Sequence, residues 1–172
     1  MNCILETSRL RLREFNDSDR RFIIELLNSP GWLKFIGDKN VKTPEQAGVY
    51  LQNGPYKSYK EYGYGLSMVE AVADNKPVGM CGIINRKELE IPDLGFAFLP
   101  LEIGKGYGFE IASALIDYAE NKLNLFRISA ITIPTNTKSI RLLENLGFKF
   151  NKTTTFPGSS EELLLYIRDV TK

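Results

Sequence analysis

The residues best suited to chemistry in this chain form one short run, Gly104-Lys105-Gly106-Tyr107-Gly108, followed directly by a helical pattern. Alternating glycines let the backbone adopt positive φ and approach a ligand closely. The first N–H groups of a helix lack partners within it, and the helix dipole favours negative charge there. The run therefore reads as an anion cradle for which a pyrophosphate is the natural guest, with Lys105 adding a positive charge. Two common versions of such a cradle fail on spacing. The nucleoside-triphosphate loop needs Lys-Ser or Lys-Thr after its last glycine, and here Phe109-Glu110 follow Gly108. The dinucleotide fingerprint needs Gly-x-Gly-x-x-Gly with an acidic residue ending the next strand, and here that strand ends in Thr132-Ile133-Pro134. By itself the run is equally a tight strand-to-helix turn.

The chain has 172 residues and no histidine. That removes Ser-His and Cys-His nucleophile pairs, histidine bases and histidine-ligated metals together. Chemistry must run on carboxylates, hydroxyls, Tyr, Lys or backbone groups, which favours reactions carried by binding and orientation. Cys3 and Cys81 are too few for a disulfide framework and lack metal-ligand spacing, so no metal is expected and each reads as a small buried hydrophobe. This usage fits the reducing cytoplasm. A net charge of +1 without a Lys/Arg run gives no sign of a nucleic-acid partner. No apolar run approaches the roughly 18 residues of a membrane span, and Met1 to Glu6 lack the pattern of a signal peptide.

The elements that must position the loop follow from periodicity. Leu10 and Leu12 alternate with Arg9, Arg11 and Arg13, a half-buried strand over 9–14. Asn16-Asp17-Ser18 offer caps for a helix carrying Phe22, Ile23, Leu26 and Leu27, stopped by Asn28-Ser29-Pro30-Gly31. Thr43-Pro44-Glu45-Gln46 reads as a capping box opening a helix to about Asn53, where Gly54-Pro55 interrupts it before a further turn through Tyr59. Strands are expected at 65–72 and 78–85, paired as a hairpin, then at 93–99, whose nearly continuous apolar run makes it central. A helix over about 107–123 and a strand over 126–133 complete a βαβ unit. A helix from Asn136 to Leu146 ends at Gly147, and strands at 148–156 and 162–168 close the chain. The order β-α-α-β-β-β-α-β-α-β-β, with one parallel pair among antiparallel neighbours, defines an α+β class with a mixed sheet of six to seven strands and about four helices. No linker interrupts it, so residues 1–172 read as a single domain.

Gly104 to Glu110 resemble the acetyl-CoA loop of the Gcn5-related N-acetyltransferases (GNAT), and more narrowly the branch of RimJ/RimL-type ribosomal-protein N-terminal acetyltransferases. Glu6-Thr7-Ser8-Arg9-Leu10-Arg11-Leu12-Arg13 resembles that branch's opening strand, Asp93-Leu94-Gly95-Phe96 through Pro100 its fourth strand, and Asn136-x-x-Ser139 with Glu144-Asn145-Leu146-Gly147-Phe148 its last helix and exit. The resemblance implies a cofactor arm lying between splayed fourth and fifth strands. It implies backbone hydrogen bonds to that arm from Phe98 and Leu99, pyrophosphate binding by the N–H groups from Gly104 through Lys105, Gly106, Tyr107 and Gly108 to Phe109, and cofactor contacts from Asn136 and Ser139.

The implied activity is direct transfer of an acetyl group from the cosubstrate acetyl-CoA to a primary amine, on a protein N-terminus or a small molecule, by a monomer or homodimer. An acyl-CoA-binding module without chemistry is the alternative. Asp93 stands where this branch often carries an acid and is the first candidate for proton acceptor, with Glu70 and Glu14 behind it. The leaving thiolate is served in many relatives by a Tyr in the last helix. Here that position holds Leu143, which leaves Ser139 as the nearby hydroxyl and Tyr107 as a distant second. Ile103 is a further departure from the family, which carries Trp, Gln or Arg there. Trp32, Phe35, Tyr50, Tyr56, Tyr59, Tyr62 and Tyr64 fall in the region that shapes the family's acceptor pocket.

Overall fold

The computed structural model describes residues 2–169; the ends of the expected domain, residue 1 and residues 170–172, lie outside them. Eight strands form one sheet: β1 (Cys3–Glu6), β2 (Leu10–Arg13), β3 (Leu66–Ala71), β4 (Lys76–Ile84), β5 (Asp93–Phe98), β6 (Arg127–Thr132), β7 (Lys149–Thr154) and β8 (Leu163–Asp169). Their spatial order is β1-β2-β3-β4-β5-β6-β8-β7, antiparallel throughout except for β5 beside β6. The α+β class and the single parallel pair are as expected.

The sheet has one strand more than the sequence pattern suggested. β1 pairs with β2 through a short turn, and all four of its residues are exposed or half-buried, so no alternation marks it. Cys3, expected inside, is accordingly exposed, whereas Cys81 is fully buried and its thiol is pushed up to about 12 by burial.

The helices are α1 (Arg20–Leu27), α2 (Pro30–Phe35), α3 (Pro44–Leu51), α4 (Lys57–Tyr62), α5 (Tyr107–Leu123) and α6 (Thr137–Asn145). Two departures from expectation involve proline. Pro30 does not merely stop α1; it is the first residue of α2, where its missing N–H would have no partner in any case. Pro55 does not interrupt the helix after α3. Residues 52–56 widen into a π-helical turn that runs straight into α4. The wider turn accommodates the lost donor and the ring. The Thr43/Gln46 capping box forms as read, with Thr43 Oγ1 accepting from the Gln46 N–H at 3.3 Å.

Each face of the sheet carries one core. Ile111, Ala112, Leu115, Ile116 and Ala119 of α5 pack on Leu10, Leu12, Val69, Cys81 and Leu94. On the opposite face Phe22, Ile23, Leu26, Ala47 and Leu51 pack on Met68 and Met80. The alternation of Met68 and Val69 between the two cores is the period-two signature of a strand buried on both sides. Burying such side chains stabilises the fold by roughly 1.5–3 kcal/mol each, which fixes β3–β5 firmly enough to hold a site at their ends.

Candidate active site at the splayed strands

Among the described residues β5 and β6 pair in register at a single position. Asp93 pairs with Ser129, and the Ser129 N–H donates to the Pro92 carbonyl at 2.9 Å. Beyond that the strands diverge, leaving a gap in an otherwise continuous sheet. Along β5 the backbone groups alternate in direction. The Leu99 N–H donates to the Val78 carbonyl at 3.0 Å, so Leu99 belongs to the β4 side. With Gly79 opposite Phe98 and Cys81 opposite Phe96, the N–H and C=O groups of Phe96 and Phe98 point away from β4, toward the gap. The structure thus brings Phe98 to the gap, withholds the Leu99 donor, and adds Phe96. Parity along the strand was the signal that could have found it.

A cavity of about 320 Å³ passes through this gap. Leu94, Phe96, Ala130, Leu143, Asn136 and Ser139 line it on the α5–α6 side, and Asp93, Gly95, Arg86, Trp32, Phe35 and Ile36 on the α1–α4 side. Asp93 and Ser139 therefore meet the same space from opposite faces of the sheet. Glu70 and Glu14 do not line it. Glu70 is buried against Arg13, whose Nε donates to it at 2.8 Å.

Asp93 is 1% exposed, and the Arg86 Nε lies 3.0 Å from both its oxygens. Burial raises its pKa to about 6, against the pull of Arg86 and with a smaller push from Glu88. Arg86 escaped the sequence reading because nothing in its spacing marks a connection residue as the partner of a strand residue. Asn136 caps α6: its Oδ1 accepts from the Ser139 N–H at 3.2 Å. The pair expected to contact the cofactor is thereby tied together at the gap. Leu143, at the family's Tyr position, is 1% exposed and offers no hydroxyl.

The glycine run divides its work. Gly104 and Gly106 have φ of +89° and +81°, the left-handed region that glycine tolerates, and Gly106 is the N-cap of α5. Gly108 is a packing glycine: a Cβ there would stand 3.0 Å from Leu142 Cδ2 and 3.5 Å from Phe98 Cε2. The N–H groups of Tyr107, Gly108 and Phe109 occupy the open first turn of a 17-residue helix. Lys105 is paired with Glu102 at 2.7 Å, and Glu102 also holds Lys76 at 2.9 Å. Lys105 thus carries a carboxylate beside it as well as its own charge.

The combination of a strand gap, a glycine loop off one side and a buried acid on the other is that of an acyl-CoA-dependent transferase. Residues 9–149 match the family described as the acetyltransferase (GNAT) domain, and the chain belongs to that family. It is an acyltransferase. It is 30% identical over 152 residues to the protein YkkB of Bacillus subtilis (strain 168), covering 87% of each chain. Among solved structures it is similar to an acetyltransferase from Agrobacterium tumefaciens str. C58, at 25% identity and a TM-score of 0.81 over 98% of this chain and 94% of that one. Its fold is also similar to that of RimL, a ribosomal L7/L12 alpha-N-protein acetyltransferase in complex with coenzyme A, at 15% identity and a TM-score of 0.83 over 98% of each chain.

Proposed function

We propose that the chain transfers the acetyl group of acetyl-CoA to the α-amine of a peptide or protein N-terminus in the cytoplasm, with Asp93 accepting the proton. The observation that carries this reading is the passage between β5 and β6, lined by Asn136 and Ser139 of the α6 start on one face and by Asp93 on the other. When bound, acetyl-CoA supplies a thioester acyl group already activated toward amines. The chain's own part is alignment and proton removal. The gap-facing amides of Phe96 and Phe98 are a strand edge without a partner strand, so they suit the two amides of a pantetheine arm. Gly104 to Phe109 suit its pyrophosphate, with Asn136 and Ser139 beside the arm.

An acid with a pKa of about 6 is ionised at neutral pH yet close enough to accept a proton. An α-amine, with an ordinary pKa of about 8, asks less of it than a side-chain amine near 10. The indole N–H of Trp32, buried in the cavity wall, has no hydrogen-bond partner among the described residues. A carbonyl next to the amine, as every peptide N-terminus carries, would satisfy it. The reading is tested by acetylation of short peptides against simple alkylamines and polyamines. Peptides are expected to be preferred, and Trp32→Phe to reduce that preference about 3- to 10-fold, the range of one lost hydrogen bond. Equal rates on alkylamines would refute the peptide acceptor. The second reading, an acyl-CoA-binding module without turnover, draws on Leu143 in the Tyr position; CoA binding with no acetylation of any amine would favour it.

A further inference from the structure

Thr7 to Arg9, between β1 and β2, and Glu110, in the first turn of α5, are a hundred residues apart and take no part in the chemistry above. Yet they form the densest polar contact at the glycine loop. Glu110 Oε1 accepts from the Thr7 hydroxyl at 2.6 Å, the Arg9 backbone N–H at 3.1 Å and the Ser8 hydroxyl at 3.4 Å. Its Oε2 accepts from Arg9 Nε at 2.7 Å and meets Arg9 Nη2 at 2.6 Å. Arg9 Nη1 donates to the Lys105 carbonyl at 2.9 Å. The guanidinium lies 4.9 Å from the centre of the Tyr107 ring, and its Nη2 is 3.4 Å from where a Cβ on Gly106 would stand.

We infer that Arg9 is a positioning residue for the phosphates of acetyl-CoA, held over the glycine loop by Glu110 and the Thr7–Arg9 turn. The inference rests on the reading of that loop as the cofactor site. Three of the guanidinium's five N–H groups serve Glu110 and Lys105, and the side chain is 49% exposed, so two donors remain for a ligand. A fixed planar fork matches phosphate oxygens better than a flexible ammonium does. The same contacts brace the loop: the Lys105 carbonyl is tied to a side chain that is itself tied to the helix start, which fixes the path between the two positive-φ glycines.

Calorimetry with CoA and with pantetheine, which lacks the nucleotide and its phosphates, tests this in the full chain. Arg9→Gln is expected to weaken CoA binding about tenfold, the size of one charge-assisted hydrogen bond, and to leave pantetheine binding unchanged. Arg9→Lys should recover part of the loss. Glu110→Gln should weaken CoA binding in the same direction by a smaller factor. In steady-state kinetics Arg9→Gln should raise KM for acetyl-CoA with kcat unchanged, and leave kcat/KM for S-acetylpantetheine as it is. Unchanged CoA affinity in Arg9→Gln, or equal weakening of CoA and pantetheine, would overturn the inference. Wild-type protein that binds CoA no more tightly than pantetheine would instead overturn the reading of the loop.

Discussion

Glu70 and Asp93 are both buried carboxylates beside an arginine, yet their surroundings differ. Glu70 belongs to a closed cluster. Arg13 reaches it at 2.6 Å and grips both oxygens of Asp19 at 2.7 and 2.9 Å, and all three side chains are at most 7% exposed. Burial works against the Arg13 charge, but Asp19 and Glu70 outweigh it and raise its pKa above the ordinary value. Asp93 has a partner on one side and a cavity on the other. Arg86 touches it through Nε alone and is 35% exposed. There burial outweighs the partner, and the pKa rises to about 6. Burial and an arginine are common to both sites. What sets Asp93 apart, and makes it the proposed proton acceptor, is an open side facing the cavity between β5 and β6.

The largest effect expected from breaking this contrast lies in the closed cluster. Arg13→Ala strands two buried carboxylates and should destabilise the fold by about 3–5 kcal/mol, measured by denaturant unfolding, with kcat of the folded fraction unchanged. Asp93→Asn should do the reverse: a loss of acetyl transfer on the order of 10²-fold, with CoA affinity intact. The pH dependence carries a sign as well. Asp93 holds its proton more tightly in the folded chain, at about 6, than at its ordinary 3.8. Its contribution to stability therefore falls as pH rises between those values and is level above about 6. Transfer activity should rise over pH 6 as Asp93 ionises, and kcat/KM for an α-amine should rise further toward about 8 as the amine itself becomes neutral. The smallest effect is expected from Arg86→Gln. Burial and Glu88 then act on Asp93 against its backbone hydrogen bond and no longer against a guanidinium, so the acid limb of the rate profile should move to higher pH. An unmoved limb would mean that Asp93 is not the titrating group.

The parts of this picture that were legible in the sequence are those with local causes. α5 shows in its own 3.6-residue apolar period, the α3 cap in Thr43 and Gln46, and the loop in its glycines. β1 was not legible because none of its residues is buried, so it carries no alternation. The π-turn at Pro55 was not, because a proline in a helical pattern ordinarily ends the helix and only packing around residues 52–56 decides otherwise. The partners of the charged residues were the hardest: Arg13 meets Glu70 across 57 positions and Arg9 meets Glu110 across 101. Spacing says nothing about such pairs. Parity along β5 says that Phe98 and Leu99 cannot both face the gap, and the register of β5 on β4 decides that Phe98 does.

In the function proposed, the passage between β5 and β6 joins an acetyl-CoA site on one face to an amine site on the other. This function is tested most directly by following free thiol from acetyl-CoA with a panel of N-terminal peptides and small amines, for the wild type and Asp93→Asn side by side. Thiol release is expected to depend on the amine and to fall on the order of 10²-fold in the variant. Thiol release at the same rate in both proteins, or none with any amine despite tight CoA binding, would contradict it.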